Sequence, residues 1–143
     1  MQEGTDYLFF RKINMNGVLY NGYMGNAAMI CTPTYAFCVE YENFQILNNW
    51  GVSKGVDEIR WKFNPPNEIF ENMESIVEME SFFKENLKED NVFEVNALDK
   101  FKVQKGFLFF GGLGFKKKDR RKLVINLQPQ SNRVRMRQFY GMG

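Results

Sequence analysis

Residues 7–41, YLFFRKINMNGVLYNGYMGNAAMICTPTYAFCVEY, set the class of fold. Tyr7–Ile13 and Val18–Met24 are rich in β-formers. Asn16-Gly17 stands between them, and both residues tolerate positive φ, which predicts a hairpin. Gly25-Asn26 predicts a second turn before Ala27–Cys31. Thr32-Pro33-Thr34 interrupts again, because proline cannot donate to a strand ladder. Ala36–Tyr41 then alternates as a strand should. The stretch reads as a meander of short antiparallel strands.

Downstream, Phe44–Leu47 reads as a short strand, and Ile59, Trp61 and Phe63 alternate with Arg60 and Lys62 until Pro65-Pro66 stops the run. A helix is expected over about residues 67–89. Asn67 is placed to cap it, and Ile69, Phe70, Met73, Ile76, Val77, Phe83 and Leu87 recur at three- and four-residue intervals. Its acids (Glu68, Glu71, Glu74, Glu78) come early and Lys84 and Lys88 late, an order that suits the helix dipole. Such a stripe is expected to pack on the sheet.

The last third is β-like again. Val92–Val95 is short, and Phe101–Phe110 is a long aromatic strand in which Gly106 marks a bulge. Gly111-Gly112-Leu113-Gly114 and the basic residues after it form a connection. Leu123–Leu127 and Arg133–Tyr140 read as strands joined around residues 128–132. The expected fold is therefore α+β: one domain, residues 1–143, with a curved antiparallel sheet (PH-like or a partly open barrel) packed against one main helix. The layout is similar to that of small PH-like domains, whose curved antiparallel sheets often carry a basic loop. That family ends in a helix, whereas this chain's helix falls inside it and its last element reads as a strand.

Of 143 residues, 44% are apolar and 16% aromatic, enough to build one core. No apolar run nears the roughly 20 residues that cross a bilayer. Met1–Arg11 carries Glu3 and Asp6 and lacks the basic-then-apolar order of a secretory signal, so a cytoplasmic protein is expected.

There is no histidine, which excludes Ser-His-Asp and Cys-His catalysis and HExxH zinc sites within the chain. Two cysteines cannot make a four-thiolate site, so no metal or cofactor is expected. A two-residue loop at Thr34-Tyr35 would face Cys31 towards Cys38 across a hairpin, where a disulfide can form. Otherwise both are small buried apolar residues in a reducing compartment, the expected case.

Charge is sharply divided. Residues 1–98 hold 7 basic and 15 acidic side chains, a net of −8, whereas residues 99–143 hold 12 basic and 2 acidic, a net of +10. Two groups of cations are the candidate anion-binding residues. Lys116, Lys117, Lys118, Arg120, Arg121 and Lys122 are expected on one loop, and Arg133, Arg135 and Arg137 on one face of a strand, with Val134 and Met136 on the other. Two bland readings compete: solvated faces, or pairing with Glu71, Glu74, Glu78 and Glu85 of the helix, each exposed pair being worth about 0–1 kcal/mol.

Neither GxGxxG nor GxxxxGK[ST] spacing occurs around Gly111–Gly114. Phe101, Phe107, Phe109, Phe110 and Phe115 lie among lysines, as rings do on a single-strand nucleic-acid platform, but alternating rings are more often core. No RNP1-like sequence accompanies them. The expected function is a non-enzymatic binding or scaffold module whose basic C-terminal part docks on an acidic protein or an anionic membrane surface. Nucleic-acid binding is the alternative. A carboxylate-based enzyme using Asp57, Glu58 or Glu94 and a Phe-lined ligand cavity are the remaining readings.

Overall fold

The computed structural model describes residues 1–17, 23–40, 45–48, 51–54, 73–106 and 111–142. Nine strands lie in one antiparallel sheet: β1 (Leu8–Gly17), β2 (Tyr23–Cys31), β3 (Tyr35–Glu40), β4 (Gln45–Asn48), β5 (Gly51–Lys54), β6 (Val92–Glu94), β7 (Lys100–Val103), β8 (Leu113–Lys116) and β9 (Leu123–Asn126). Two α-helices stand among the described residues, α1 (Ile76–Asn86) and α2 (Gln130–Phe139). Seven strands follow the order β5-β4-β2-β1-β9-β8-β7, and β3 and β6 branch from β2. The class is α+β as expected, and the sheet stays open, not closed into a barrel.

The first hairpin is longer than its turn signals suggest. Asn16 and Gly17 pair with Met24 and Tyr23, so they belong to β1, and Gly25-Asn26 lies within β2. Residues 18–22, between the two strands in sequence, lie outside the described residues. A register shift between Phe10 and Ile13 leaves Arg11 and Lys12 both exposed, the signature of a bulge. Thr32-Pro33-Thr34 does break the chain where expected. The Thr32 hydroxyl oxygen accepts from the Tyr35 amide at 2.9 Å, closing the turn between β2 and β3.

Register fixes two faces. The inner face carries Leu8, Phe10, Ile13 and Met15 of β1, Ala27, Met29 and Cys31 of β2, and Ala36 and Cys38 of β3. Leu123 and Ile125 of β9, Leu113 and Phe115 of β8 and Val103 of β7 continue it, and α2 packs there through Met136, Phe139 and Tyr140. The outer face of β2 and β3 carries Ala28, Ile30, Phe37 and Val39, covered by Met79, Phe83 and Leu87 of α1. Ring pairs Phe37–Phe83 (5.2 Å between centroids) and Phe93–Phe115 (5.0 Å) sit in these two cores.

Helix α1 is shorter than residues 67–89. Ser75, not Asn67, is its N-cap, accepting from the Glu78 amide at 3.1 Å, and residues 73–75 precede the helix in non-helical form. Val77 is 72% exposed, while Met79, absent from the expected stripe, is fully buried. The strand at Ile59–Phe63, Pro65-Pro66 and Asn67 lie outside the described residues.

The largest correction is at the C-terminus. Arg133–Tyr140 forms no strand; it belongs to helix α2, bracketed by Pro129 before its first turn and Gly141 in the left-handed region (φ 68°) after its last. The end of α2 is tied to the first hairpin turns: the Tyr140 hydroxyl donates to the Thr32 and Tyr35 carbonyls at 2.9 and 3.2 Å. Beside it, Cys31 faces Ala36 and Cys38 faces Met29, and both cysteines are buried and not joined in a disulfide. Burial pushes the Cys31 thiol up to about 12, partly offset by its hydrogen bond with Tyr140. Burial likewise raises the Tyr140 phenol, with Cys31 adding to it.

Candidate functional site

The two expected cation groups have different fates. A helix turns about 100° per residue, so the arginines cannot share one face. Arg133 is fully buried, donating through Nη1 to the Leu127 carbonyl (2.6 Å) and Gln128 Oε1 (3.0 Å) and through Nε to the Lys105 carbonyl (3.0 Å). Arg137, one turn on, donates to the carbonyls of Val103 (2.6 Å) and Met142 (2.8 Å). Strand β7 pairs with β8 at Lys100, Lys102 and Gln104, so the Val103 and Lys105 carbonyls point to its unpaired edge. The two guanidinium groups therefore cap a sheet edge. Arg135 points elsewhere, to Glu3 (2.7 Å) and over the Phe10 ring at 5.8 Å.

The expected loop of six cations is a hairpin with cations on both flanks. Lys116 ends β8, residues 117–121 form the turn with Asp119 at φ 62°, and Lys122 leads into β9. Three cations are held within the protein: Lys116 by Asp99 (3.3 Å), Arg120 by Asp90 (3.2 Å) and Lys117 by the Glu89 carbonyl, its ammonium 5.0 Å over the Phe93 ring. Burial lowers the Lys117 pKa, a shift that Asp90 and Glu89 oppose. None of these partners is Glu74, Glu78 or Glu85, and Glu71 lies outside the described residues. Lys118, Arg121 and Lys122 are exposed and make no ion pair with the described residues.

Register adds two lysines not singled out from the sequence. Lys100 pairs with Lys116 and Lys102 with Gly114, and Gly114 in turn pairs with Val124. Since Phe101, Val103, Phe115 and Leu123 point inward, Lys100, Lys102, Lys116 and Lys122 share the outer face of β7–β9. No described helix covers them; the face also bears exposed Gln104, Val124 and Asn126. Cross-strand neighbours stand about 5 Å apart and lysines two apart along β7 about 7 Å, spacings at which like charges repel unless an anion intervenes. The pattern Lys100-Phe101-Lys102-Val103 carried this signal in its alternation.

The aromatic platform does not form among the described residues. Phe101 and Phe115 are core rings, 5.2 Å apart, while Phe107, Phe109 and Phe110 lie outside the described residues. Of the carboxylates considered for catalysis, Asp57 and Glu58 are outside them too, and Glu94 is exposed on the rim of an open groove with Glu89, Lys84, Lys117 and Lys118. Among the described residues no cluster of three His, Cys, Asp or Glu side chains stands ready for a metal. No described helix is long and apolar enough to cross a membrane. No family model, curated protein or solved structure matches the chain.

Proposed function

We propose that the protein is a non-enzymatic binding module that docks on an acidic partner, a protein or an anionic membrane surface, through the outer face of β7–β9. One observation carries this reading: four lysines, Lys100, Lys102, Lys116 and Lys122, share a sheet face that no other described element covers, and only Lys116 has a carboxylate partner among the described residues. Lys118 and Arg121 extend the charge at the hairpin tip. The role of these groups is electrostatic positioning, which needs no pocket and no titrating catalyst. The three arginines of α2 have no part in it, because their donors are engaged at the β7 edge and at Glu3.

The helix after the last strand brings the layout nearer to small PH-like domains than the sequence suggests, while the open sheet and the inserted α1 depart from them. Two buried cysteines outside any disulfide suit a reducing cytoplasm. Nucleic acid is the weaker partner, since the two rings described among the lysines, Phe101 and Phe115, point into the core and cannot stack on bases.

The test is sedimentation with phosphatidylserine vesicles and with an acidic peptide, at low and high salt. Binding is expected to fall steeply with salt and to drop about tenfold or more in Lys100→Gln/Lys102→Gln/Lys122→Gln. Equal binding by that variant, or no binding to either target at low salt, would falsify the proposal. Preference for duplex DNA over both would transfer the face to nucleic acid.

A further inference from the structure

The outer face is not uniformly flat. Gly112 and Gly114 have no side chains to fill it, and they floor a pit of about 280 Å³ flanked by Lys102 and Lys122, with Gln104 and Asn126 on its walls. Lys122 is drawn down onto this floor. A Cβ added at Gly114 would meet its Cε at 2.4 Å and its Nζ at 3.1 Å, so the end of this exposed side chain lies over the Gly114 backbone. Lys102 lies directly across the ladder from Gly114. Two lysines thus line one small depression, with no carboxylate among its lining residues. Holding like charges side by side is unfavourable unless something negative sits between them.

We propose that this pit is a binding site for a phosphate monoester group. The inference rests on the docking role proposed above and names the chemistry at its centre. A phosphate monoester carries about −1.5 to −2 charge at pH 7, which two lysines match, whereas a carboxylate carries half of that. Its oxygens are arranged tetrahedrally, so amide donors of Gln104 and Asn126 satisfy those that the ammonium groups do not reach. The size agrees. At about 280 Å³, close to the lower limit of the roughly 300–1,000 Å³ that small-molecule sites occupy, the pit has room for a phosphate group and its water.

The glycine floor supplies a variant that changes shape without changing charge. Gly114 is not in the left-handed region, and the atoms a new methyl would strike belong to a flexible lysine end. Gly114→Ala is therefore expected to fold and to push the Lys122 side chain off its place at the pit floor. The experiment titrates inorganic phosphate at constant ionic strength and follows the amide resonances of Gly112 and Gly114. Saturable shifts are expected in the parent protein, with affinity about tenfold weaker in Gly114→Ala and in Lys102→Gln. A parallel arm compares vesicles containing phosphatidic acid, whose headgroup is a monoester, with phosphatidylserine vesicles of equal charge. Preference for phosphatidic acid that Gly114→Ala abolishes assigns the group to a lipid; phosphate saturation without that preference assigns it to a soluble ester. No saturable phosphate shift, or shifts unchanged in Gly114→Ala, overturns the pit. If salt-sensitive binding to phosphatidylserine vesicles persists in that case, the docking face survives alone; if it is also missing, both fail.

Discussion

One sheet presents the same outer face in two places and treats it in opposite ways. At β2 and β3 that face is Ala28, Ile30, Phe37 and Val39, sealed beneath α1; at β7–β9 it is lysine, glycine, glutamine and asparagine, open to solvent. The difference lies in period. Ala27–Cys31 and Ala36–Val39 are buried at consecutive positions, so both faces need cover, whereas Lys100–Val103 and Leu123–Asn126 bury alternate residues and need it on one side only. Composition at the second face decides where a helix packs, and where the molecule keeps a surface for something else.

Four measurements break or sharpen that contrast. Phe37→Ala, on the covered half, is expected to cost about 3–5 kcal/mol of unfolding free energy, read by denaturant titration. A loss under about 1 kcal/mol would mean that α1 is not seated as described. Arg133→Leu should cost about 3 kcal/mol, because it orphans the buried Leu127 carbonyl and removes the bond to the part-buried Lys105 carbonyl. Arg133→Lys should rescue little, since an ammonium cannot reproduce the planar fork.

Raising the pH probes the inner face. Cys31 and Tyr140 hold folded-state pKa values above their ordinary 9.0 and 10.0, so the Cys31 contribution is complete below about pH 9 and is lost as pH climbs to about 12, while that of Tyr140 starts to fall only above about pH 10. Above pH 9 the expected slope is about 1.4 kcal/mol per pH unit for each titrating group. Cys31→Ala should remove the part that begins at 9, and an unchanged slope in that variant would refute the assignment. The smallest effect is expected on the open half. Lys100→Gln/Lys102→Gln/Lys122→Gln should alter stability by less than about 0.5 kcal/mol per site while docking collapses. A large loss of stability there would show those lysines to be structural.

What the sequence reveals follows from the strength of each local pattern. The charge division and the antiparallel meander are legible because both are carried by many residues. Helix α1 is legible too, yet its start is misplaced, although Ser75 and Glu78 stand at the spacing of a capping box. Helix α2 is misread because Arg133-Val134-Arg135-Met136-Arg137 alternates perfectly. Its true stripe, Arg133, Met136 and Tyr140, is hidden by the rarity of a buried arginine, and only Pro129 and Gly141 mark its ends. Strand β8 escapes notice because three glycines make Gly111–Gly114 look like a linker. Gly112 is there for a different reason, since a Cβ would lie 2.8 Å from the Ile125 carbonyl oxygen. Of the nine expected contact residues, register leaves Lys116 and Lys122 on the open face and brings Lys100 and Lys102 to join them, something only strand pairing could reveal.

The bond from Tyr140 to the Thr32–Tyr35 turn spans more than a hundred residues of chain. A nascent polypeptide cannot make it until α2 has been synthesised, so the early hairpin must wait, with its inner surface uncovered, for the last helix to arrive. Folding on the ribosome therefore finishes late and all at once, and clipping the chain just before Tyr140 should be felt first at the opposite end of the sequence.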